Sequence, residues 1–238
     1  MQIESTGNGV IAWCEPLAQH LTTAQFQADY WQQRNAVIGQ SKGRYTTWFV
    51  EYNQQQWVLR HYWRGGLIEK LSRDAYIYTG MQRTRAIAEL ALLEKLHAEG
   101  LPVPRPIAAN VERFGIWYRA DLLIELIDGA KDLVAYLSTQ TMTNEQWQQL
   151  GQLIATFHNR GVYHADLNAK NILLAKGKFY LIDFDRGEIK TPASAWQQAN
   201  LARLLRSFNK EKTKLASLNF CSEHWQALLK GYQANINN

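Results

Sequence analysis

Cysteine is scarce: Cys14 and Cys221 are the only two in 238 residues. Two thiols so far apart make no disulfide framework, and no Cys/His metal spacing occurs, so a reducing compartment is expected. No apolar run reaches the roughly 18 residues a spanning helix needs, so any membrane contact is expected to be peripheral. The first basic residue is Arg34, and no basic segment followed by an apolar stretch marks a signal peptide. Repeats and low-complexity tracts are missing too. So is the phosphate-cradling pattern G-x-G-x-x-G.

Aromatics and positive charge, by contrast, are plentiful. The chain has 9 Trp and 11 Tyr, a net charge of +5 and a pI near 9.1. Its partners are expected to be anionic: nucleotide phosphates, anionic lipid or nucleic acid. Part of the surplus sits together as Arg203, Arg206, Lys210, Lys212 and Lys214, opposed locally by Glu211. No nucleic-acid reading motif accompanies the charge, and no nucleic-acid partner is expected.

Residues 1–35 read as polar and mixed, with a short helix around Leu17 to Trp31. Ala36–Ile38, Thr46–Tyr52 and Trp57–Trp63 are β-branched and aromatic runs, which predicts a three-stranded antiparallel meander. Arg64-Gly65-Gly66 ends it. A helix over Thr84–Ala98 shows Ile87, Leu90, Leu93 and Leu96 on one face. Gly100 stops it, and Pro102, Pro104 and Pro106 keep the next segment extended. Trp117–Ile127 reads as a strand or a pair of strands. Beyond Asp128-Gly129 the pattern turns helical: Thr143-x-x-Gln146 is a capping box, and helices follow at about 192–207 and 222–233. Between them lies a hairpin, Ile172–Leu174 and Phe179–Asp183, turning at Lys176-Gly177. The expected class is α+β, with a β-rich lobe over 1–128 and a helical lobe over 129–238.

The chemistry concentrates in Tyr163–Gly187. Asp166 and Asn171 are five apart, and Asp183 follows twelve later, each where a loop meets an apolar strand. Mg²⁺ prefers oxygen ligands and binds few protein groups, leaving its other positions to phosphates and water. Asn171 offers an uncharged carbonyl oxygen and Asp183 a charged one. Asp166 is then free to accept a proton from a substrate hydroxyl, the division of labour that phosphoryl transfer requires.

This spacing resembles protein-kinase-like enzymes, which carry H-R-D-x-x-x-x-N and then D-F-G. Here the residues are His164-Ala165-Asp166-Leu167-Asn168-Ala169-Lys170-Asn171, then Asp183-Phe184-Asp185. Within that superfamily the chain resembles the bacterial lipopolysaccharide-core sugar kinases, and specifically the 3-deoxy-D-manno-octulosonic acid (Kdo) kinases. The residues that carry this are 58–66, 101–106, 163–168 and 201–207. The resemblance implies a protein-kinase-like bilobal fold, with Asp166 as catalytic base and Asn171 and Asp183 on Mg²⁺. It implies Arg60, in place of the usual lysine, on the α/β-phosphates of ATP, paired with Glu89 or else Glu94; His61 and Arg64 are nearby competitors. Glu125 and Ile127 fall where adenine would meet the backbone. The implied acceptor is the 4-hydroxyl of Kdo on a Kdo–lipid A precursor, at the cytoplasmic face of the inner membrane, with peripheral contact to anionic lipid. Heptose, aminoglycoside and choline kinases are the alternatives.

Four departures shape the expectation. Gly39, Lys42, Gly43 and Arg44 stand where a glycine-rich loop would be, so basic side chains replace a backbone cradle. Ala165 removes the arginine that holds a phosphorylated activation loop, which argues against that regulation and for a small-molecule or glycolipid acceptor. Asn168 stands where kinases place a lysine against the γ-phosphate. Asp185, where a glycine would be, reads as a turn residue or else a second metal ligand, and Lys170 as solvated or else the cation that neutralises the γ-phosphate.

Overall fold

The computed structural model describes residues 1–42, 45–64 and 74–237. Gly43, Arg44, Gly65 and Gly66, named above, lie outside the described residues, as does the side chain of Lys42. The chain divides into two compact units. One comprises Met1–Gly100 and Pro104–Leu126, the other Leu101–Val103 and Ile127–Asn238.

The first unit is built on an antiparallel sheet. Its strands are β1 (Gln2–Thr6), β2 (Gly9–Trp13), β3 (Val37–Lys42), β4 (Thr46–Tyr52), β5 (Gln55–His61), β6 (Tyr76–Ile77), β7 (Pro106–Phe114) and β8 (Trp117–Glu125). The spatial order is β1-β2-β7-β8-β5-β4-β3, with β6 also on β8. The β3-β4-β5 meander follows the aromatic runs. The period of two along β5 sends Trp57 and Leu59 to one face and Arg60 and Tyr62 to the other. On the first face they meet Phe26, Trp31 and Leu123 in a buried cluster. Against β7 and β8 packs α2 (Arg85–Ala98), burying Ile87, Leu90, Leu93 and Leu96 as its period predicts.

The N-terminal 35 residues differ from expectation. The reading above starts the sheet at residue 36, yet β1 and β2 precede it, joined at Gly7-Asn8. β1 lies at the sheet edge and is mostly exposed, so its sequence shows no apolar run. The available signal was the Gly7-Asn8-Gly9 turn. The single helix expected from Leu17 to Trp31 is broken into 3₁₀ turns at Pro16–His20 and Thr23–Phe26 and a short α1 (Ala28–Gln32). Thr22 is extended and forms a capping box with Gln25, which restarts the chain in a new direction. Pro106–Phe114, expected merely to be extended, is a full strand paired with β8.

In the second unit, β9 (Lys131–Asp132) leads into α3 (Leu133–Leu137) and α4 (Asn144–Asn159). Thr143 and Gln146 form the expected capping box. Then come β10 (Val162–Tyr163), β11 (Ile172–Ala175), β12 (Lys178–Leu181) and β13 (Glu188–Ile189), followed by α5 (Ser194–Lys214) and α6 (Ser222–Gln233). Lys176 and Gly177 both take positive φ, 49° and 78°, as a two-residue hairpin turn demands. Helices α4 and α6 touch through glycine: a Cβ on Gly151 would lie 2.0 Å from the Leu228 carbonyl oxygen, and one on Gly231 2.0 Å from that of Gln148. α5 runs seven residues past its expected end at Ser207, so Lys210, Lys212 and Lys214 are helical. Among the described residues no helix is long and apolar enough to cross a membrane.

Candidate active site

The loop after β10 is folded around His164. The imidazole is 2% exposed and bridges two backbone groups: Nδ1 accepts from the Asp166 N–H at 3.1 Å, and Nε2 lies 3.0 Å from the Ile182 carbonyl. An accepting Nδ1 requires the proton on Nε2, so the ring is neutral; burial pushes its pKa down. His164 thus ties the Asp166 loop to the residue just before Asp183. Ile182 N–H also donates to the Asn171 carbonyl at 3.0 Å. Beneath lies Phe184, fully buried between His164 and Phe157.

Asp166 is held by amides and by a cation. Asn168 Nδ2 donates to its Oδ2 at 3.1 Å and also to its backbone carbonyl. Arg203 Nη1, from α5, donates to Oδ1 at 3.2 Å. The carboxylate still keeps 54% of its surface in solvent, so it is oriented and reachable at once. Asn168 Oδ1 meanwhile caps the 3₁₀ turn Ala169–Asn171, accepting from the N–H groups of Lys170 and Asn171. Where kinases place a phosphate-contacting lysine, this chain has a residue that shapes the loop and braces the aspartate. Sequence reasoning did not assign that role to Asn168, and it did not pair Arg203 with Asp166, although Arg203 lies in the basic stretch and within the 201–207 segment of the resemblance.

Asn171, 9% exposed, spends its amide nitrogen on the Asp166 carbonyl at 3.0 Å. Its Oδ1 is therefore the oxygen turned to other work. Asp183 has φ +63°, an uncommon conformation for a residue with a side chain and one found at functional loops. Asp185 and Arg186 are the central residues of the next turn, closed by Gly187 N–H on the Phe184 carbonyl at 2.7 Å, which agrees with a turn role for Asp185. Lys170 is largely solvated, 3.7 Å from Glu211. Among the described residues no three His, Cys, Asp or Glu side chains gather as a metal cage. One amide oxygen and one carboxylate are instead the donor set that suits a Mg²⁺ carried mainly by phosphates.

In the first unit, Arg60 forms an ion pair with Glu89 on α2, whose side chain is 1% exposed. Tyr62 completes the group: its hydroxyl donates to Glu89 at 2.6 Å and accepts from Arg60 Nη2 at 2.9 Å. Glu94, the alternative, instead takes the N-terminal amine. Of the competitors, His61 points to the opposite face and lies 2.6 Å from Asp121, and Arg64 lies over the rings of Tyr76 and Trp117. Glu125 ends β8, with its N–H on the Arg105 carbonyl; the Ile127 carbonyl accepts from Ala130.

A second buried histidine gives the second unit a pH dependence. His158 lies 2.9 Å from the Tyr232 hydroxyl, and burial pushes its pKa from 6.5 down to about 4. The unfolded chain therefore takes up a proton that the folded chain refuses between pH 6.5 and about 4. Stability is complete above that window, falls within it by about 3 kcal/mol from this residue, and levels off below. The thermal midpoint should drop across this range, with a shallower slope in His158→Gln. An equal slope in that variant would assign the acid sensitivity elsewhere.

A strand arginine paired with a helix glutamate in the unit built on an antiparallel sheet, and a His-Ala-Asp loop followed by an Asp-Phe pair in the helical unit, are features of the protein-kinase-like class. Solved structures agree on the fold. The chain is similar to WaaP in complex with acyl carrier protein, at TM-score 0.58 and 13% identity, covering 94% of this chain and 88% of that one. It is also similar to a glucosamine kinase in complex with glucosamine, ADP and inorganic phosphate, at TM-score 0.53 and 12% identity, covering 99% and 82%. The profile of the lipopolysaccharide kinase (Kdo/WaaP) family matches residues 28–232. Two curated relatives are named 3-deoxy-D-manno-octulosonic acid kinase. That of Mannheimia succiniciproducens is 46% identical over 87% of this chain and 89% of its own, and that of Photobacterium profundum 45% identical over 93% and 94%. The chain belongs to the lipopolysaccharide kinase (Kdo/WaaP) family and is a kinase.

Proposed function

We propose that this protein transfers the γ-phosphate of ATP to the 4-hydroxyl of Kdo on a Kdo–lipid A precursor during lipopolysaccharide biosynthesis. One observation carries the chemistry: a solvent-reachable carboxylate, Asp166, is held in place by Asn168 and Arg203 beside an asparagine whose carbonyl oxygen is left for a metal. The names of the relatives carry the acceptor.

In this reading Asp166 accepts the proton of the sugar hydroxyl as it attacks phosphorus. Asn171 and Asp183 would hold Mg²⁺, which neutralises phosphate charge when bound. Arg60, fixed by Glu89 and Tyr62, contacts the α/β-phosphates, and the backbone at Glu125 and Ile127 receives adenine. The exposed cations of α5 (Arg206, Lys210 and Lys214) suit peripheral contact with the anionic inner-membrane surface on the cytoplasmic side.

The test is transfer of ³²P from Mg-ATP to Kdo–lipid A precursor by the purified protein, with the phosphorylated position found by phosphorus–proton NMR. Phosphate on O4 supports the reading. Phosphate on another hydroxyl corrects the position, and transfer only to an aminoglycoside, choline or heptose acceptor overturns the substrate.

A further inference from the structure

Helix α5 is joined to the base loop at three positions along one of its faces. Asn200 Nδ2 donates to the His164 carbonyl at 3.1 Å, Arg203 Nη1 to the Asp166 carboxylate at 3.2 Å, and Ser207 Oγ accepts from the Ala169 N–H at 3.0 Å. The outer two anchor the helix to backbone. Asn200 is 2% exposed, and Ser207 also donates to the Leu204 carbonyl. The middle contact is of another kind. Arg203 and Asp166 keep 47% and 54% of their side-chain surfaces in solvent, and so exposed an ion pair adds little to stability. With the helix already fixed on both sides, holding it in place does not require an arginine here.

We infer that Arg203 recognises the acceptor, binding the carboxylate of the acidic sugar whose hydroxyl Asp166 deprotonates. The inference rests on the Kdo reading above and adds to it the residue that selects an acid. In the pyranose form of a 3-deoxy-octulosonic acid, a single ring carbon separates the carbon bearing the carboxyl group from the carbon bearing O4. A sugar whose 4-hydroxyl meets Asp166 therefore carries its carboxylate close by, where the guanidinium stands. The chemistry of the side chain fits. An arginine has five N–H donors in a planar fork, and among the described residues the one hydrogen bond it spends is that of Nη1. The remaining donors match a carboxylate bidentately, as a lysine could not. Asp166 and Arg203 together form an acid–cation pair that reads a hydroxyl and a carboxylate on the same ring.

The experiment compares two acceptors, Kdo–lipid A precursor and the same molecule with the Kdo carboxyl reduced to the alcohol, in wild type and Arg203→Gln. In wild type, carboxyl reduction should lower kcat/KM for the acceptor roughly 10- to 100-fold, the range for loss of a charge-assisted hydrogen bond. Arg203→Gln also removes a hydrogen bond to Asp166 and should lower turnover on both acceptors, but its loss on the acid should be larger by that factor, so that it no longer distinguishes the two. Retained ADP binding marks the variant as folded; should it fail that control, Arg203→Lys, with the charge kept and the fork lost, should show an intermediate preference. The inference is overturned if the variant still prefers the acid by the wild-type factor, which would confine Arg203 to holding Asp166. If wild type phosphorylates neither acceptor, the Kdo reading fails and takes this inference with it. Transfer to Kdo with an unaltered preference in the variant sinks the Arg203 assignment alone.

Discussion

Asp166→Asn should reduce kcat by roughly 10²- to 10⁴-fold, the usual contribution of a positioned general base, while ADP binding persists. The substitution is nearly isosteric. One amide oxygen can still accept from Arg203 Nη1, and the loop remains held by His164 on the Asp166 N–H and by Asn171 on its carbonyl. What is lost is the capacity to take the proton of the attacking hydroxyl. A subsidiary strain arises because the new NH₂ group faces Asn168 Nδ2, 3.1 Å away, where the carboxylate had accepted. Single-turnover kinetics separate the chemical step from binding. A near-normal kcat in Asp166→Asn would remove Asp166 from the base role.

The second large effect concerns the Arg60–Glu89–Tyr62 group. Arg60→Met should destabilise the protein by about 3–5 kcal/mol, because it removes the cation paired with the buried Glu89 carboxylate. The Glu89 side chain is 1% exposed, so water cannot take over the missing charge. Nucleotide affinity should fall as well if Arg60 contacts the phosphates. A double variant divides the two roles. Arg60→Met with Glu89→Leu removes both charges, and well-packed apolar replacements of a buried pair are often neutral or stabilising. Stability should then return, by thermal or urea unfolding, while ATP affinity stays low. Recovery of ATP binding along with stability would mean that the pair is purely architectural.

The residue spacing was enough for the α+β class and for the loop that carries Asp166. The loop and hairpin that carry Asp166, Asn171 and Asp183 are legible because they lie within one stretch of chain, where distance along the sequence maps closely onto distance in space. The meander and α2 are legible for a similar reason, since periods of two and of 3.6 are local properties. The N-terminal hairpin was not. An edge strand that buries little needs no apolar face, so β1 leaves only its Gly7-Asn8-Gly9 turn as a mark.

Glu89 and Glu94 lie on one helix; Glu89 was the expected partner, with Glu94 the alternative, and Arg60 pairs with Glu89. The choice was made by the pleat of β5, which aims Arg60 and Tyr62 together at α2. The sequence by itself determined a kinase-like chain with Asp166, Asn171 and Asp183 at kinase-like spacing and a strand-borne arginine. Only the tertiary structure decided what surrounds Asp166. Arg203 reaches Asp166 across 37 residues, because Asn200 and Ser207 fix α5 to the loop on either side of it. Such a contact depends on how two elements pack, and neither element carries a local pattern that announces it.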